Sequence, residues 1–85
     1  MHLIILTPER KVFDGEVDLV QLPGSAELGS FEILKNHAPI ISNLAPGRMR
    51  IKGPQGEHEY VISSGFVEAR DNEVNVMIEG VTEEI

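Results

Sequence analysis

The sequence contains no cysteine, so disulfides cannot brace the fold and thiolate-held zinc is excluded. That absence suits a reducing compartment and an exported domain alike. Long hydrophobic runs are missing too. The stretches Leu3 to Leu6 and Ala38 to Ile41 fall far short of the roughly 20 residues that cross a bilayer as a helix. The N-terminus has no Lys or Arg before its short apolar run and no small-residue cleavage site, and it reads as a first strand, not a signal peptide. Positive charge is scarce: 7 basic side chains face 14 acidic ones, for a net charge of −7. Such a balance repels phosphate backbones and argues against nucleic acid as a partner.

Also missing are a helix-period stretch of useful length, an internal repeat, a linker and a low-complexity tract. What is present is period-two alternation, broken by short Gly, Pro and Asn marks. Candidate strands run His2 to Leu6, Val12 to Phe13, Val17 to Leu22, Ser30 to Leu34, Ile40 to Leu44, Arg48 to Lys52, His58 to Ser63, Phe66 to Arg70 and Val74 to Ile78. The clearest alternation sets Val74, Val76 and Ile78 against Glu73, Asn75 and Glu79, as a strand with one side on a core requires. Val81 to Ile85 is too short for a stable helix. Pro23-Gly24, Pro54-Gln55-Gly56 and Asp71-Asn72 supply turn conformations, so neighbouring strands are expected to pair as antiparallel hairpins. With 85 residues, the chain is read as one domain, residues 1–85. A chain of this size buries only about 60% of its unfolded surface. The expected fold is all-β, a flattened antiparallel sandwich of two packed sheets.

No constellation for chemistry stands out. His2, His37 and His58 lack metal-ligand spacing. Ser63, Ser64 and Gly65 lack the nucleophile-elbow pattern, and no Gly-rich phosphate loop is present. Glu57 and Glu59 share one strand face, which reads as solvated, and Arg48, Arg50 and Lys52 read the same way. His37, in Asn36-His37-Ala38-Pro39, fits a turn residue bonding to nearby backbone. Neither a catalytic site nor a cofactor site is expected. Recognition loops on a rigid scaffold remain, and they point to a binding or assembly role.

Several segments carry a family resemblance. They are Leu6-Thr7-Pro8-Glu9, Val12-Phe13-Asp14-Gly15-Glu16-Val17, the run Gly29 to Ile41 with its His37-Ala38-Pro39 turn, Leu44-Ala45-Pro46-Gly47, and Ser64-Gly65-Phe66-Val67-Glu68. In this order, over residues 2 to about 80, the chain resembles the epsilon subunit of the F-type ATP synthase. The resemblance implies a β-sandwich of about ten short strands. It also implies a non-catalytic rotor part of the central stalk, linking the gamma subunit to the membrane c-ring so that proton-driven rotation is coupled to ATP synthesis. The location implied is peripheral, on the cytoplasmic side of a bacterial plasma membrane, held through the complex and without direct lipid insertion. By position, Thr7, His37 and Ser42 correspond to the gamma-facing surface, and Ser30, Phe31 and Glu32 to the c-ring contact. The family pattern Gly-Glu-Phe/Leu-Gly before the His turn is replaced by Gly29-Ser30-Phe31-Glu32, and Glu27-Leu28-Gly29 offers a second register. The sequence ends at Ile85, from which a member without the family's C-terminal helical hairpin, and without its inhibition of ATP hydrolysis, is expected.

Rival readings come from other classes. A lipoyl- or biotinyl-type carrier domain would present a lysine at a hairpin tip, with Lys52-Gly53 the nearest candidate. A small hydrolase would use Ser64 with His37. A free-standing sandwich adaptor differs from the rotor part only in its partner.

Overall fold

Alternation along each strand dictates which side chains turn inward, and the inward sets of two sheets make the core. The computed structural model describes residues 1–25 and 29–85. These form ten strands: β1 (His2–Leu6), β2 (Lys11–Glu16), β3 (Leu19–Pro23), β4 (Ser30–Leu34), β5 (Ile40–Leu44), β6 (Gly47–Gly53), β7 (Gly56–Ile62), β8 (Gly65–Arg70), β9 (Glu73–Ile78) and β10 (Val81–Glu84). No helix occurs among the described residues. One sheet, here sheet A, has the order β2-β1-β9-β8-β5, and the facing sheet B has the order β10-β7-β6-β3-β4. The chain crosses between sheets after β2, β4, β5, β7 and β9, so the layers are stitched together repeatedly.

The β-sandwich expected from the sequence is the fold observed. Two elements extend the expectation. The short Val12 to Phe13 candidate grows into the six residues of β2, and the tail after Val81 becomes β10 by pairing with β7. One ladder departs from it. β1 pairs with β9 in parallel, His2 opposite Glu73 through Leu6 opposite Met77, while every other ladder is antiparallel. Alternation specifies which face of a strand is buried but not its direction, and turn chemistry fixes direction only for strands adjacent in sequence.

Leu3 and Ile5 of β1, Val20 and Leu22 of β3, Met49 and Ile51 of β6, and Val74 and Val76 of β9 are almost wholly buried. Each such side chain contributes about 1.5–3 kcal/mol on removal from water. No polar side chain is buried among the described residues. The tight turns have the expected chemistry. Asp71 and Asn72 take φ of 51° and 59° between the paired Arg70 and Glu73, a two-residue hairpin with both central residues left-handed. Gly56, at φ 107°, closes the β6–β7 hairpin after Pro54-Gln55, a backbone region that favours glycine.

Candidate interaction surface

With Leu3, Ile5, Val67, Val74 and Val76 turned into the core, alternation sends Ile4, Leu6, Ile41, Asn43, Phe66 and Met77 to the outer face of sheet A. The register lines up Asn43, Phe66, Met77 and Leu6 as one row across β5, β8, β9 and β1. Ile41 is 77% exposed, Phe66 40% and Leu6 37%. An open groove of about 620 Å³ follows this row, walled by Leu6, Thr7, Pro8, Asn43, Phe66 and Met77 among others. A contiguous apolar strip of this kind on a chain of net charge −7 makes this face the candidate docking surface. Neither Phe66 nor Met77 is among the contact candidates that the sequence offers. The signal was there, because Val67 and Ala69 turned inward oblige Phe66 to point out.

Thr7 sits on the wall of this groove. Its hydroxyl accepts the amides of Glu9 at 3.2 Å and Arg10 at 3.0 Å, and its own amide donates to the Arg10 carbonyl at 2.9 Å. The side chain thus shapes the β1–β2 connection. Ser42 lies on the edge strand β5 opposite buried Val67. Half-buried, it turns toward the core side and donates to the Asn43 carbonyl at 3.1 Å, leaving Ile41 and Asn43 to face out. His37 is exposed at the other end of β5, where its amide donates to the Leu34 carbonyl at 3.0 Å and its Nδ1 lies 2.6 Å from the Ala38 carbonyl. The three gamma-facing candidates therefore do not form one cluster: only Ser42 is on a strand, and Thr7 and His37 lie in separate connections. Thr7 is at the groove, Ser42 is next to its wall, and His37 is across the sheet.

Ser30, Phe31 and Glu32 lie on β4, the edge of the other sheet. Ser30 and Glu32 are exposed, while Phe31 packs against the core. Nearby, Ile33 is core and Leu34 is half exposed. Glu27, in the alternative register, lies outside the described residues. A second concavity of about 550 Å³, lined by Gln21, Ser25, Ser30, Arg48 and Arg50 among others, adjoins this edge. On the same sheet, Arg48 pairs with Glu59 at 3.4 Å and Arg50 with Glu57 at 3.5 Å. The acidic and basic stripes read as solvated in the sequence thus neutralise each other across β6 and β7.

The catalytic rivals find no geometry. Ser64 precedes β8, whereas His37 lines a crevice with Arg70 and Asn72 at the opposite end of that strand, so no nucleophile–base pair exists between them. Lys52 lies within β6, two residues before the Pro54-Gln55 tip, not at the tip a carrier domain uses. Among the described residues no group of three His, Asp or Glu side chains could hold a metal. His2 Nε2 meets Asp14 at 2.5 Å and Lys11 meets it at 2.9 Å. These hydrogen bonds, His2 first and Lys11 second, hold the Asp14 carboxyl below its ordinary 3.8.

A family described as "ATP synthase, Delta/Epsilon chain, beta-sandwich domain" matches residues 1–84. The chain belongs to this family. Among relatives of this delta/epsilon sandwich, the ATP synthase epsilon chain of Pelotomaculum thermopropionicum is 43% identical over 76 residues, covering 89% of this chain and 55% of that one. The epsilon chain of Caulobacter vibrioides is 34% identical over 83 residues, covering 98% of this chain and 94% of its own length. The chain spans little more than half the length of several of the relatives it matches, the Pelotomaculum chain among them. A chain in the Euglena gracilis mitochondrial ATP synthase superposes with a TM-score of 0.82 at 24% identity, covering 94% of this chain and 51% of that chain. One in the Tetrahymena thermophila mitochondrial ATP synthase central stalk and c-ring gives 0.76 at 18%, covering 98% of this chain and 66% of that chain. These two likenesses concern the fold of the delta/epsilon sandwich.

Proposed function

We propose that this chain is a non-catalytic rotor subunit in the central stalk of an F-type ATP synthase, acting as one rigid domain over residues 1–85. The outer face of sheet A docks on gamma, and the β4 edge around Ser30 and Glu32 turns toward the c-ring. The subunit is peripheral, on the cytoplasmic side of a bacterial plasma membrane, and reaches the membrane only through the complex. The observation that carries this reading is the apolar row Leu6, Met77 and Phe66, with Ile41 beside it, left uncovered on the outer face of sheet A of a family member. Epsilon-chain relatives of about this length and of nearly twice it support the same role.

Coupling needs two grips on a body that does not shear. Of the gamma candidates, Ser42 lies on sheet A, with Thr7 in the connection after β1 and His37 in the one before β5, while the c-ring candidates lie on the edge of sheet B, with a common aliphatic core between the sheets. Torque entering at β4 passes through close-packed side chains, which yield little.

Titration calorimetry against the gamma subunit of the same organism tests this. The expected result is a stoichiometric complex with Kd below about 1 μM, weakened by His37→Ala with Ser42→Ala. Phe66→Glu, which puts a charge into the apolar row, should weaken it by at least about tenfold. An unbound native chain would move a free-standing adaptor role to the front, and unchanged binding by Phe66→Glu would remove sheet A as the gamma face.

A further inference from the structure

Two turns on neighbouring strand connections carry asparagine in the left-handed region: Asn36 at φ 64° and Asn72 at φ 59°. Glycine takes that conformation at less cost, and asparagine is the side chain that both tolerates it and brings an amide. Here the two amides meet. Asn72 Oδ1 accepts the backbone N–H of Asn36 at 2.7 Å, and Asn72 Nδ2 donates to Asn36 Oδ1 at 3.0 Å. The Asn72 carbonyl in turn accepts the amide of His2 at 2.9 Å. A single residue thereby ties the β4–β5 connection, the β8–β9 hairpin and the start of β1.

The segment Lys35 to Pro39 is exposed throughout and lies between strands of different sheets. His37 follows Asn36 directly, and its own amide returns to Leu34. We propose that Asn36 and Asn72 form an amide clamp that fixes the His37 turn relative to sheet A, which makes both of them positioning residues for the gamma contact. The proposal rests on the rotor reading above for its partner. It does not rest on that reading for its geometry. The clamp is uncharged, in contrast to the exposed Arg70–Asp71 pair beside it at 3.6 Å, so its action is insensitive to salt.

Glycine substitutions test the clamp because they delete the amides and keep the backbone conformation. Asn72→Gly removes both bonds, whereas Asn36→Gly retains the backbone donor and loses only the 3.0 Å bond. Hydrogen exchange followed by NMR on the free chain should show the Asn36 amide exchanging about tenfold faster in Asn72→Gly. The effect should be smaller in Asn36→Gly, confined to the His37 turn, and the same at low and high salt. Affinity for gamma should fall several-fold in the same order, with the double variant no worse than Asn72→Gly alone. Faster exchange over the whole sandwich would mean a merely structural role and overturn the proposal, as would unchanged exchange at Asn36. Unchanged gamma affinity in Asn72→Gly beside a binding native chain would overturn it too. If the native chain does not bind gamma, the rotor reading falls and takes the gamma role with it, and exchange confined to the turn then sustains only the clamp itself.

Discussion

Asp14 shows how a solvent-facing residue reports on the fold. Its carboxyl is held low by His2 and then Lys11, so its contribution is present above the unfolded value and is lost as pH falls through the lower folded one. Because the group is exposed, the effect is small. The gap in thermal midpoint between native chain and Asp14→Asn should narrow as pH drops below about 3.8. A gap that stays constant down to about pH 2 would show that the two bonds do not hold in solution. In the interior the scale is larger. Ile51 is fully buried, and Ile51→Ala should cost about 2–5 kcal/mol by urea titration, with the slope unchanged. Single-residue roles were only partly legible in the sequence. Asn72 could be read as a turn residue from its type, but its bond partner lies 36 positions away, a distance that no local pattern spans.

At the scale of strands and hairpins, sequence and structure agree where the physics is local. The β8–β9 hairpin follows from Asp71-Asn72, and the burial of β9 follows from its alternation. β2 and β10 were under-read because short or polar strands take their stability from a partner, not from their own pattern. The outer row of sheet A was missed for a related reason: it exists only once four strands are in register, and its members are far apart in sequence. Close approach between paired strands is equally invisible beforehand. A Cβ on Gly65 would lie 2.2 Å from the Met77 carbonyl and 2.8 Å from Ile78 Cα. Gly65→Ala should therefore force β8 and β9 apart, costing about 1–3 kcal/mol and disturbing the groove. Its denaturation midpoint and its gamma affinity should drop together.

The whole molecule measures 28 × 27 × 20 Å with a radius of gyration of 11.4 Å, close to the roughly 12 Å expected for a compact chain of this length. One aliphatic cluster draws on both sheets, and the repeated crossings leave neither sheet able to detach alone. Unfolding should accordingly be a single transition, with Tyr60 fluorescence and far-UV circular dichroism coincident against temperature. Separate midpoints would mean that the sheets melt independently and cannot serve as a stiff link. The parallel β1·β9 ladder has a consequence of a different kind, one for synthesis on the ribosome. His2 finds its neighbour only when Glu73 has been added, roughly 4–14 s later at ordinary elongation rates. Through that interval the edge of β1 that β9 will cover stays unpaired, so the nascent chain presents an open strand edge, a template for wrong pairing, until β9 emerges.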